Sequence, residues 1–64
     1  MSGVIEMSSE TTGKIREYSR DENQSDSLLA LLDFYGKTRL ADISEEQGQE
    51  FLDKLRRGEI RIYG

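Results

Sequence analysis

The chain of 64 residues contains neither cysteine nor histidine. Without thiols it can form no disulfide and no thiolate metal site to staple a small fold. Without imidazole it lacks the commonest general base and the commonest transition-metal ligand. Long apolar runs are missing too: nothing approaches the roughly 18–20 residues that span a bilayer. The N-terminus shows no basic segment leading into an apolar one, so no signal peptide is expected. These absences describe a soluble, cytoplasmic chain with no membrane partner and no motif for a catalytic residue, cofactor or metal.

Apolar and charged residues each make up 34% of the chain, a lean supply for a core. Sixteen of the 22 apolar residues lie in 28–64. The net charge is −4, with −3 carried by residues 1–27 and −1 by residues 28–64. An acidic chain is repelled by phosphate backbones, which argues against nucleic acid as the first partner.

Composition therefore divides the sequence into a polar N-terminal arm, 1–27, and a small helical interaction domain, 28–64. Within the arm, Ser8–Lys14 and Ser19–Ser27 contain no apolar side chain. Such segments recover little of their ordering entropy by burial. Two short β-like pieces, Val4–Met7 and Ile15–Tyr18, suggest a hairpin closed by Ser8–Gly13. The alternative is a largely flexible arm or a frayed helical turn.

The densest apolar run is Leu28–Tyr35, broken only by Asp33. At about 100° per residue, Leu28, Leu31, Leu32 and Tyr35 fall on one stripe of a helix, leaving Leu29 and Phe34 outside it. Ser25, Asp26 and Ser27 supply N-cap candidates, and Gly36 suits a left-handed C-cap. Lys37–Ile43 is a connector whose Leu40 and Ile43 reach back to the core. The next helix is announced by Ser44 and Gln47, which complete a capping box. Glu45 and Glu46 at its start, and Lys54, Arg56 and Arg57 at its end, match the helix dipole. Glu50–Lys54 and Asp53–Arg57 are acid-first i,i+4 pairs. Phe51, Leu52 and Leu55 form its apolar face, with Gly48 on the same stripe, and Gly58 terminates it. Gly48 costs about 1 kcal/mol inside a helix, which close approach of another backbone would explain. The tail Glu59–Tyr63 alternates charged and apolar residues, the period of a half-buried strand.

The expected fold is thus mainly α: a two-helix unit at about 26–35 and 44–57, a short C-terminal strand at 59–63, and the arm in front.

Four clusters invite sharper readings. Asp42, Glu45, Glu46, Glu50 and Asp53 lack calcium-loop spacing and read as a solvated acidic face. Tyr35-Gly36-Lys37-Thr38 has Leu31 where a phosphate-binding loop requires glycine. A helix-turn-helix over 28–58 would push Glu45 and Glu46 into the DNA groove, with a connector longer than usual. Lys54, Arg56, Arg57 and Arg61 form a basic edge able to contact an anion or nucleic acid, although three of them complement a helix C-terminus.

A helix apolar over most of its circumference needs more cover than this chain supplies. The expected function is that of a small acidic, non-catalytic regulatory protein, an inhibitor, adaptor or sequestering oligomer. It acts by protein–protein binding through Leu28, Leu29, Leu32, Phe34, Tyr35, Phe51 and Leu55. The partner is a second copy, in a dimer with first helices packed together, or a protein target. Small phage-encoded and plasmid-encoded regulators are often of this size and composition, an analogy only. The alternative is a nucleic-acid-binding regulator that uses the edge Lys54, Arg56, Arg57 and Arg61.

Overall fold

The computed structural model describes residues 5–62 and is mainly helical. Helix α1 runs Ser9–Arg16, α2 Asp26–Tyr35 and α3 Glu45–Arg56, with a single 3₁₀ turn at Leu40–Asp42.

The expected hairpin does not form, because the segment between its two strands is itself α1. Ser8 caps this helix, accepting a hydrogen bond from the Thr11 N–H at 3.1 Å. Thr12 donates its hydroxyl to the Ser8 carbonyl at 2.9 Å, and Glu10 pairs with Lys14 at 3.3 Å. An isolated helix of eight residues is marginal in water, so tertiary contacts must hold it. Ile15 supplies one, at 0% exposure, and Thr11 is also buried. The N-terminal strand piece finds a different partner: Glu6 forms an isolated antiparallel bridge with Ser44. Around that bridge Glu45 N–H donates to the Ile5 carbonyl at 2.7 Å, and Met7 N–H to the Ile43 carbonyl at 3.3 Å.

The turn between α1 and α2 is held by polar groups in place of burial. Asp21 accepts from the Ser25 N–H at 2.8 Å, the Ser25 hydroxyl at 2.7 Å and the Asp26 N–H at 3.1 Å. It thereby caps α2, a task the sequence suggested for Ser25, Asp26 or Ser27; the Ser25 side chain makes no cap bond. The hydrogen bond from Ser25 holds the Asp21 carboxyl below its usual range. Ser27 is fully buried, 2.6 Å from the Ser19 hydroxyl.

Other local expectations hold. Gly36 adopts φ 66°, and Lys37 N–H reaches the Leu32 carbonyl at 2.8 Å, closing a Schellman turn. Ser44 and Gln47 form the capping box. Ile43 is buried and Leu40 packs on the core. The tail does not make its expected strand: 59–62 is irregular, and Tyr63 lies outside the described residues. Ile62 nonetheless enters the core with Ile15, Leu31, Ile43, Phe51, Leu52 and Leu55.

The two-helix unit is therefore a three-helix arrangement in which α1 packs against both α2 and α3. Thr11 and Ile15 make the contact that the polar composition of the arm concealed.

Candidate interaction face

The structure separates the seven expected interface residues into three groups. Phe51 and Leu55 belong to the core, Phe51 fully buried and Leu55 nearly so. Leu28, Leu32 and Tyr35 are half-buried and pack against that core. Leu29 and Phe34 remain outside, 60% and 50% exposed.

Helical geometry accounts for the division. Ser27, Leu31 and Tyr35 follow i, i+4, i+8 along the inner side of α2. Asp26, Leu29, Ala30, Asp33 and Phe34 follow i, i+3, i+4, i+7, i+8 on its other side. These last five line a groove of about 460 Å³ whose facing wall is Ile60 and Arg61 from the tail. A second groove, about 400 Å³, lies beyond the tail between Tyr18, Arg20, Leu55 and Ile62 and shares Ile60 and Arg61. Ile60 and Arg61 thus line both depressions.

Phe34 is fixed at the groove margin by aromatic neighbours. Its ring meets Tyr35 edge-on, with centroids 4.9 Å apart, and lies 5.7 Å from the Phe51 ring. Tyr35 is anchored in turn: its hydroxyl shares its one proton between the Gln47 carbonyl at 3.1 Å and Glu50 Oε2 at 3.2 Å. Burial, then the bond to Glu50 and its charge, push the Tyr35 phenol up to about 12. Asp26 Oδ2, beside the groove, is a buried oxygen without a hydrogen-bond partner among the described residues.

The basic edge is divided as well. Arg57 pairs with Asp53 at 3.1 Å, as the spacing suggested, and with Glu59 at 3.6 Å. Lys54 pairs with Glu59 at 3.7 Å in place of Glu50, which faces Tyr35. Arg56 and Arg61 are exposed, and only Arg61 borders a groove.

Of the acidic residues, Asp42, Glu46, Glu50 and Asp53 are exposed, as a solvated face requires, and Glu45 departs from it. Glu45 turns toward α1, where its carboxylate accepts from the Thr11 hydroxyl at 2.6 Å and the Ser8 N–H at 2.8 Å. Asp42 lies 3.7 Å from Arg39, and Glu46 is exposed. Among the described residues no three metal-ligating side chains converge.

Composition and the apolar stripe missed the groove's Asp26, Ala30, Asp33 and Ile60, whereas Arg61 was singled out with the basic edge. On α2 the i, i+4, i+7 spacing of Asp26, Ala30 and Asp33 was the available signal. Among the described residues no helix is long and apolar enough to cross a membrane. Family models, curated proteins and solved structures all give no match to this chain.

Proposed function

We propose that this chain is a small acidic interaction protein that regulates by binding another protein surface and performs no chemistry of its own. The working face is the outer side of α2 with the adjoining tail: Leu29, Ala30, Phe34 and Ile60. One observation carries this reading. Leu29 and Phe34 stay 60% and 50% exposed beside a groove, although the other apolar residues of the Leu28–Tyr35 run are packed on the core. Single exposed apolar residues are ordinary, but two large ones rimmed by charges around a concavity mark a contact surface. Aromatic anchors at such a margin often dominate binding energy.

The decisive comparison is between the wild-type chain and a Leu29→Glu, Phe34→Glu double variant shown by circular dichroism to be folded. The wild type should self-associate or retain a discrete protein from an extract of its host, and the variant should do neither. Equal behaviour of both chains in both assays overturns the reading.

A further inference from the structure

We propose that the Met7 thioether is a reversible oxidation switch: a peroxide converts it to the sulfoxide, and α1 then loosens from α3. The chain has no cysteine, so sulfur occurs only in Met1 and Met7, and of these Met7 lies among the described residues. Its backbone is pinned where three segments meet. The Met7 N–H donates to the Ile43 carbonyl at 3.3 Å beside the Glu6–Ser44 bridge, and the next residue, Ser8, caps α1. Its side chain fills a notch that exists because residue 48 is glycine. A Cβ there would lie 2.5 Å from Met7 Sδ and 3.1 Å from Thr11 Cγ2. The sulfur thus rests on the backbone of α3, with the Thr11 methyl of α1 beside the same notch. Gly48 and Thr11 are buried, whereas Met7 is only partly so, which leaves it within reach of a small oxidant.

Hydrogen peroxide is the co-reactant. A sulfur lone pair attacks one peroxide oxygen, the O–O bond breaks, and the other oxygen leaves as water after proton transfer. Sulfur loses two electrons and the peroxide gains them. The product carries a polar S–O group where the thioether was apolar. The Thr11 hydroxyl gives its proton to Glu45 at 2.6 Å, so it has none to donate to that oxygen. An acceptor buried without a partner is costly, and the oxidised side chain therefore stays with water and leaves the notch. The contact between α1 and α3 loses its filling at that point. A helix of eight residues has little stability of its own, so α1 responds to the loss of a single contact. Methionine sulfoxide reductases return the thioether, which makes the change reversible.

Amide hydrogen exchange of the full chain, before and after hydrogen peroxide, tests this, with peptide mass mapping to separate Met7 from Met1. Peroxide should add one oxygen to Met7 in the folded chain. The Thr12 and Glu17 amides, bonded to the Ser8 and Gly13 carbonyls, should then exchange roughly tenfold faster. Treatment with the reductase should restore the original rates. Met7→Leu, of similar volume, should exchange at the same rates with and without peroxide. Should that variant fail to fold, recovery of the reduced wild type decides the same question. Three results overturn the proposal: Met7 that escapes oxidation in the native chain, fully oxidised Met7 with exchange in α1 unchanged, or a Met7→Leu chain that responds to peroxide as the wild type does.

Discussion

Glu45 and Thr11, 34 residues apart in sequence, meet through a 2.6 Å hydrogen bond in which the threonine hydroxyl donates to the carboxylate. The same carboxylate accepts from the Ser8 backbone N–H at 2.8 Å and the Gln49 amide at 2.8 Å. One acid thus joins the starts of two helices. It also sits in the first turn of α3, where negative charge suits the helix dipole.

These donors, the Thr11 hydroxyl foremost, hold the Glu45 carboxyl down at about 2, against an ordinary value of 4.5. A depressed folded value means that the stabilisation is complete above pH 4.5 and is lost as pH falls toward 2. Thermal melts recorded from pH 6 to pH 2 should show a steep acid limb in the wild type. Glu45→Gln should be less stable at pH 6 and should flatten that limb. An unchanged limb in the variant would place the acid sensitivity elsewhere.

Gly48 is buried where a Cβ would come within 2.7 Å of Met7 Cγ and 3.1 Å of Thr11 Cγ2. The close approach expected at this glycine is real, but side chains make it, not another backbone. Gly48→Leu should destabilise the fold by more than about 1 kcal/mol through overpacking. With Met7→Ala in the background, Gly48→Ala should become favourable by up to about 1 kcal/mol, as helix propensity is regained. Urea unfolding of the double-mutant cycle measures the coupling.

Phe34 and Phe51 touch, yet they should respond differently to truncation. Phe51→Ala opens a cavity in a fully buried site and should cost about 3–5 kcal/mol. Phe34→Ser removes a half-exposed ring and should cost about 1 kcal/mol or less. Comparable losses in chemical denaturation would show that Phe34 belongs to the core.

Ile15→Ala should cost about 2–5 kcal/mol, a large share of what so small a fold commands. It should abolish cooperative thermal unfolding of the whole chain, not of α1 alone. A surviving cooperative transition from α2 and α3 would show that they fold without α1.

Elements were legible where local chemistry decides them. Ser44 with Gln47 announced α3, Gly36 ended α2, and the Leu28, Leu31, Leu32, Tyr35 stripe correctly left Leu29 and Phe34 outside. Helix α1 was hidden because its stability comes from contacts 30 or more residues away, such as Thr11 with Glu45. Its turns carry one buried apolar residue, Ile15, too few for a periodic signal. Phe51 and Leu55 were assigned to the interface because the missing α1 left them apparently uncovered. The tail's alternation correctly turned Ile62 inward, but periodicity alone provides no neighbouring strand to pair with.

Helix α1 packs on both other helices, and its cap and its clasp lie close together at Ser8 and Thr11. A peptidase trimming the chain past Ser8 would remove the N-cap of α1 and one of the donors to Glu45 in a single cut. The core then loses the wedge that brings Ile15 to it, and α2 and α3 keep few contacts with each other. One cut there would therefore take away the cap and the clasp together.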